Sequence, residues 1–204
     1  HVVILDYGIG NVGSLSNMLN SIGVSNTCSS SLSELKRATH IIIPGVGSFD
    51  HGMTKIRSLD SFDILEKLIL TEKIPILGIC LGMQMFCTKS EEGTLPGLGW
   101  VDALVKKFSF NISDLKVPHM QWNQISENNI PTLFDNFTVR PKFYFVHSYY
   151  VLPSSNITYT ASSEYSFKFC SAFKFDNIFG VQFHPEKSHN YGKQLFKNFL
   201  NLVS

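Results

Sequence analysis

Ile76-Leu77-Gly78-Ile79-Cys80-Leu81-Gly82 decides the reading of this chain. The run from Ile76 to Ile79 is continuously apolar and short, which predicts a strand covered on both faces. Residues 81–87 start a helix directly after it. A cysteine with glycine two residues away on each side fits a very tight strand-to-helix turn. Such a turn projects its side chain into an open site. In open α/β sheets the carboxyl ends of the strands are where ligands bind.

Working outward, the first half alternates. Val2 to Leu5 reads as a strand. Val12, Leu15, Met18, Leu19 and Ile22 then recur at helical spacing, closed by Gly23. A strand is expected near 24–28 and a short helix near 32–37. Ile41-Ile42-Ile43 is a strand ended by Pro44-Gly45, and Phe62, Leu65, Leu68 and Ile69 mark another helix. The second half lacks crossovers. Segments 101–105, 143–146, 149–152, 157–161, 167–175 and 178–183 are strand-like and closely spaced, so hairpins are expected. Asp176-Asn177 suits a turn between two of them. Ser188 is placed to cap a final helix with Tyr191, Leu195, Phe196, Phe199 and Val203 on its apolar face. The stretch 107–136 is the least regular and reads as loop-rich. No repeat, low-complexity tract or linker interrupts the chain, so residues 1–204 read as one domain. The expected fold is α/β: a flavodoxin-like open mixed sheet, mostly parallel, with helices on both faces and an antiparallel, hairpin-rich C-terminal part.

Composition narrows the function classes. Hydrophobic residues make up 44% and charged residues 16%, which suits a packed core rather than a disordered chain. A net charge of +1 offers no electrostatic case for nucleic acid or an anionic membrane. The longest apolar runs fall well short of the roughly 20 residues a membrane helix needs. No charged stretch followed by an apolar one stands at the start of the given sequence, so a secretory signal is not expected. Cys28, Cys80, Cys87 and Cys170 form no CxxC pair and no metal-ligand spacing, so reduced thiols in the cytoplasm are expected, with no cofactor and no metal.

Cys80 stands where a buried strand meets a helix start. Free N–H groups there favour a thiolate, and the N–H of Leu81 is placed to stabilise an oxyanion. The plain alternative is a core cysteine between glycines that only permit close packing. His184-Pro185-Glu186 supplies a base and a carboxylate. Pro185 biases His184 toward an extended conformation, in which residues two apart project on one side. Glu186 would then bond one imidazole nitrogen while the other faces a thiol. In isolation such a tripeptide is more often a turn histidine followed by a solvated carboxylate. The case rests on the combination. Pro44-Gly45-Val46-Gly47 follows a strand, and its glycines allow peptides to turn N–H groups toward a ligand.

Gly8-Ile9-Gly10-Asn11-Val12-Gly13 fits the dinucleotide fingerprint G-x-G-x-x-G. That fingerprint expects an acidic residue about 20 positions on. Here the region reads Cys28-Ser29-Ser30-Ser31-Leu32-Ser33, and the first acid is Glu34, which argues against a bound dinucleotide. His40, His51, His119 and His189 have no partner legible in the sequence.

Taken together, Gly78-Ile79-Cys80-Leu81-Gly82 and Phe183-His184-Pro185-Glu186 resemble the triad (class I) glutamine amidotransferases. Within them, four further stretches are similar to the glutaminase subunits of imidazole glycerol phosphate synthases. These are Asp6-Tyr7-Gly8-Ile9-Gly10-Asn11, Pro44-Gly45-Val46-Gly47, Phe145-Val146-His147-Ser148-Tyr149, and the extension from Gly180 to Ser188. The resemblance implies roles. Cys80 would attack the side-chain amide of L-glutamine, His184 would move protons, and Glu186 would orient His184. Val46, Gly47 and Leu81 would form the oxyanion hole. Gly45, Gln84, Ser148 and Tyr149 would hold the substrate. Asn11, Trp122 and Lys187 would meet a separate (β/α)8 cyclase subunit that receives the ammonia. A paralogous subunit feeding another amidotransferase, such as one that amidinates a sugar, is the alternative. A cysteine peptidase on a related fold is a more distant one. The family usually reads His-x-Gly-Trp-Asn where this chain has His119-Met120-Gln121-Trp122-Asn123. If that glycine position needs a positive φ, Gln121 would be strained.

Overall fold

The computed structural model describes residues 1–109 and 115–201. Strands β1 (Val2–Leu5), β2 (Asn26–Ser29), β3 (His40–Ile43) and β4 (Ile76–Ile79) alternate with helices. The helices are α1 (Val12–Asn20), α2 (Leu32–Leu35), α3 (Phe49–Arg57), α4 (Phe62–Leu70) and α5 (Leu81–Met85). Strands β5 (Lys89–Ser90), β6 (Ala103–Lys107), β7 (His119–Gln124), β8 (Glu127–Asn128), β9 (Lys142–His147), β10 (Tyr149–Pro153), β11 (Tyr159–Tyr165), β12 (Phe167–Phe175) and β13 (Ile178–Val181) follow. Helix α6 (His189–Leu200) comes last. Val203 lies outside the described residues. No helix is long and apolar enough to cross a membrane among the described residues.

The main sheet runs β2-β1-β3-β4-β13-β12-β10-β6-β5, with β11 pairing β12 and β8. Its first five members are parallel, and β12 turns back antiparallel on β13. The expected mixed α/β architecture is therefore the one observed. Both faces of its parallel part are apolar, as successive side chains on a strand point opposite ways. Val3, Leu5, Ile41 and Ile43 join the core that α3, α4 and α5 cover. Val2, Ile4, Ile42, Leu77 and Ile79 join the other, with Leu15 and Leu19 of α1 and Leu195, Phe196 and Phe199 of α6. Full burial of a phenylalanine such as Phe196 stabilises the fold by roughly 1.5–3 kcal/mol.

Four local expectations need correction. First, helix α3 has no counterpart in the sequence reading. Phe49, Met53 and Ile56 are spaced for a helix, but Gly52 and the polar residues between them mask the stripe. Second, the stretch expected to be loop-rich holds β7, which pairs antiparallel with β9 in a separate two-stranded sheet. Third, Ser188 occupies the N-cap position of α6 without making a cap bond. Its hydroxyl donates to His184 O (2.6 Å) and accepts from Tyr144 N (3.0 Å) instead. The segments 143–146 and 149–152 also do not form a hairpin with each other. At Ser148 the chain leaves the small sheet, β9, and enters the main sheet as β10.

Candidate functional site

Strand β4 continues by one hydrogen bond beyond its last residue: Cys80 N donates to Val181 O at 2.8 Å. The chain then turns sharply. Cys80 has φ 54° and ψ −108°, a conformation that a residue with a Cβ rarely adopts. The flanking glycines make the turn possible by close approach. A Cβ on Gly82 would sit 2.2 Å from the backbone oxygen of Ile43, and one on Gly78 would sit 2.5 Å from the ring of Phe86. A short helix, α5, begins at Leu81. The Leu81 N–H belongs to its first turn, where amides have no intrahelical acceptor.

The Pro44-Gly45 turn packs against this elbow. A Cβ on Gly45 would lie 2.5 Å from Gly82 N, so Gly45 serves the packing and does not line the cleft described below. The Tyr7 hydroxyl donates to Pro44 O at 2.5 Å, and a Cβ on Gly10 would meet Pro44 Cβ at 2.7 Å. Of the three glycines that imitate a dinucleotide fingerprint, Gly10 therefore serves to seat the Pro44 turn. Gly47 has φ 91° and Val46 is 48% exposed, which leaves the Val46-Gly47 peptide at the rim.

The parallel partner of β4 is β13, with Gly78 opposite Gly180 and Ile79 opposite Val181. His184 follows three residues past Val181 and so arrives beside Cys80. Its Nδ1 lies 2.7 Å from Glu186 Oε1, and both side chains are almost fully buried. The route to this contact differs from the expected one. His184 is extended (φ −104°, ψ 95°), but Pro185–Lys187 form a turn of 3-10 helix that curls Glu186 back onto the ring. The second nitrogen, Nε2, is buried without a hydrogen bond of regular geometry. Burial alone would push the imidazole down. Hydrogen bonding to the Cys80 sulfur and the Glu186 carboxylate, and negative charge on both, more than reverse this and hold it up at about 10. A thiol, an imidazole that retains a proton strongly, and an orienting carboxylate thus stand in series. That order suits nucleophilic attack by sulfur followed by proton delivery to a leaving group.

A cleft of ≈ 310 Å³ opens in front of this series. Of the residues singled out in the sequence, Val46, Gly47, Cys80, Leu81, Gln84, Ser148, Tyr149 and His184 line it. Gln84 is buried. Its Nε2 donates to Tyr149 O (3.2 Å) and Gln182 Oε1 (3.0 Å). Gln182 Nε2 in turn approaches Cys80 Sγ at 3.7 Å. Larger hollows of ≈ 340, ≈ 440, ≈ 450 and ≈ 660 Å³ lie elsewhere, but none of them brings a cysteine and a histidine together.

Glu92 also lines the cleft and was missed in the sequence. It sits in a glycine-containing loop, where no periodicity marks it. The loop is latched to the start of α3: Asp50 accepts from Thr94 N and Leu95 N, and Glu92 Oε2 accepts from Phe49 N at 3.0 Å. Burial pushes the Glu92 carboxyl up from its ordinary value, with the Phe49 amide opposing.

Asn11, Trp122 and Lys187 lie away from the cleft. Asn11 caps α1, its Oδ1 accepting from Ser14 N at 3.0 Å. Trp122 is 43% exposed and stacks on His189 with ring centroids 5.6 Å apart. Lys187 Nζ lies over the Tyr144 ring at 5.6 Å. His119 and His189, for which the sequence offers no partner, both have one. Gln121 sits in regular strand β7 without a positive φ, so the expected strain is absent there.

The model of the class-I glutamine amidotransferases matches residues 3–202 of the chain. An imidazole glycerol phosphate synthase subunit HisH 2 from Methanococcus maripaludis is 46% identical, with 98% of each chain covered. A protein of the same name from Pseudomonas aeruginosa is 44% identical over 99% of this chain and all of its own length. The subunit HisH of Leptospira interrogans is 44% identical over 98% of each. Among solved structures, the PurLQS structure from Thermotoga maritima is 17% identical and covers 98% of this chain and 97% of its own, with a TM-score of 0.71. A glutamine amidotransferase reaches 0.72 at 16% identity, with the same shares covered.

Proposed function

This chain belongs to the class-I glutamine amidotransferase family, and we propose that it is the glutaminase subunit of an imidazole glycerol phosphate synthase in histidine biosynthesis. The names of its relatives support this acceptor over the sugar-amidinating alternative. In this reading the Cys80 sulfur, relieved of its proton by His184, attacks the amide carbon of glutamine. The oxyanion that forms is met by the Leu81 N–H and by the Val46-Gly47 peptide. His184 passes its proton to the departing nitrogen, ammonia leaves, and a γ-glutamyl thioester remains on Cys80. Water then attacks the thioester. His184 takes a proton from that water and returns one to the sulfur as glutamate departs.

The observation that carries this reading is the meeting of a positive-φ cysteine with the buried His184–Glu186 pair at the ends of adjacent strands. Gln84, Ser148 and Tyr149 offer polar groups for the substrate. Glu92 offers a carboxylate to the α-ammonium of a free amino acid. That favours glutamine itself over a peptide, in which the nitrogen is acylated. Ammonia passes to a (β/α)8 cyclase subunit, docked over Trp122, Lys187 and Asn11. Gln121 presents no backbone obstacle to this docking. A cytoplasmic location completes the proposal; all four cysteines are free thiols, as a reducing compartment requires.

Glutamate release with the cyclase subunit present tests the core. Cys80→Ala should abolish it, and a chloroketone analogue of glutamine should add to Cys80 of the unmodified chain. Wild-type turnover by Cys80→Ala, or an adduct elsewhere, would sink the reading.

A further inference from the structure

His147 lines the cleft, and His119, which does not, is its cross-strand partner in the β7–β9 register. Both are buried, and His119 Nδ1 lies 3.0 Å from His147 Nε2. The proposed reaction uses neither of them. Their hydrogen bonds nonetheless extend in both directions. His147 Nδ1 lies 2.7 Å from Tyr149 O. On the other side, Asn123 Nδ2 lies 3.3 Å from His119 Nε2 and 2.9 Å from Glu164 O.

Donor and acceptor rules give this chain one direction. A backbone carbonyl only accepts, so His147 Nδ1 carries the hydrogen. Burial pushes His147 down to about 3 and His119 down to about 4, so each ring is neutral near pH 7 with a single N–H. His147 Nε2 is therefore an acceptor and His119 Nδ1 the donor to it. His119 Nε2 is then an acceptor, and Asn123 Nδ2 donates to it. Every hydrogen points from Asn123 toward Tyr149 O. That same carbonyl accepts from Gln84 Nε2, which also reaches the Gln182 amide beside Cys80 Sγ.

We propose that Asn123, His119 and His147 form a positioning relay that holds the Tyr149 carbonyl, and with it the glutamine-binding wall, in register with the outer face of β7. The inference rests on the reading of the cleft as a glutamine site. Asn123 follows the exposed Trp122 directly in β7, so a load on Trp122 reaches the relay through one peptide. His147, Ser148 and Tyr149 are consecutive where β9 passes into β10, so rotation of the His147 ring moves the cleft wall itself. Two stacked hydrophobic rings in place of the histidines would fill the same space. What the imidazoles add is a directed chain of donors ending on one carbonyl oxygen.

His119→Phe separates the relay from mere packing, because phenylalanine keeps the stack on Tyr165 (4.1 Å) and Phe145 (5.0 Å) but neither donates nor accepts. The readout is the rate of Cys80 alkylation in the full chain as a function of the concentration of a glutamine-like chloroketone. The relay predicts an unfolding temperature close to wild type and a half-saturating concentration raised about fivefold or more. His119→Asn, which can still donate to His147, should recover most of that loss. An unchanged half-saturating concentration in His119→Phe overturns the relay. Failure of the wild-type chain to react at Cys80 would instead overturn the glutamine reading. A second measurement is free of any variant: ¹⁵N shifts of the imidazoles in the wild-type chain. Nδ1–H tautomers at both His119 and His147 are expected, and an Nε2–H tautomer at either overturns the proposal.

Discussion

The amide of Cys80 donates to the carbonyl of Val181 at 2.8 Å, so the strained elbow is tied to the strand that delivers His184. Strain at a functional turn persists only where the surroundings over-determine it. Here three backbone approaches do so: Gly82 against Ile43, Gly45 against Gly82, and Cys80 against Val181.

Gly82→Ala should break that arrangement. Its Cβ would sit 2.2 Å from a backbone oxygen of β3, in a sheet core that cannot yield cheaply. A loss of about 1–3 kcal/mol is expected, read as a lower urea midpoint. Alkylation of Cys80 should slow as well. A midpoint equal to wild type would show that the close contact is not a constraint.

Glu186→Gln retains an oxygen that can accept from His184 but removes the charge that helps keep its proton in place. By analogy with carboxylate-to-amide changes in such triads, kcat for glutamate release should fall by about two to four orders of magnitude. KM should change little, because Glu186 does not line the cleft. A large KM effect with kcat preserved would place Glu186 outside the chemistry.

Glu92→Gln tests recognition of the α-ammonium. A hydrogen bond to a charged group contributes about 1.5–3 kcal/mol. The variant should raise KM for glutamine about tenfold or more, with kcat near wild type and the Phe49 amide still satisfied by the new carboxamide oxygen. Equal KM values would remove Glu92 from the site.

Acid should destabilise the fold through the buried histidine pair. His119 and His147 titrate near 4 and near 3 in the folded chain, below the 6.5 of an ordinary histidine. Between those values the unfolded chain binds protons that the folded chain refuses. Stability is therefore full above pH about 6.5 and is lost as pH falls toward 4 and then 3, by several kcal/mol in total. His184 acts oppositely: raised to about 10, it contributes stability below pH about 6.5 that fades as pH rises through 10. Urea midpoints at pH 7, 5 and 4 should decline in that order. In His119→Phe/His147→Phe the acid decline should flatten.

Lys187→Ala should weaken docking of the cyclase subunit about tenfold, or about 1.4 kcal/mol, without moving the unfolding midpoint. Its ammonium lies over Tyr144, in a face that also presents Trp122 and His189. Titration of the labelled partner measures it. Unchanged affinity would place the interface elsewhere.

Much of this molecule is legible locally. Val2 to Leu5, Ile41 to Ile43 and Ile76 to Ile79 are apolar on both faces and announce a covered parallel sheet. Gly78-Ile79-Cys80-Leu81-Gly82 announces the elbow, because only glycine lets a helix start fold so tightly onto a strand end. The missed elements are those whose signal depends on a neighbour. Strand β7 reads His-Met-Gln-Trp-Asn-Gln, mostly exposed, and takes its form from pairing with β9. Glu92 becomes a cleft residue only because Asp50 latches its loop.

Residues close in the chain were enough to mark the covered sheet, the tight turn at Cys80 and the three residues proposed here as a triad, since backbone sterics and side-chain period act within a few residues. Tertiary structure alone decided that Val181 leads His184 to Cys80, that Glu186 returns by a 3-10 turn, and that His119 meets His147 across a strand pair. Those contacts join residues far apart in the chain. Their register is set by burial of whole strands, which no short stretch of sequence encodes.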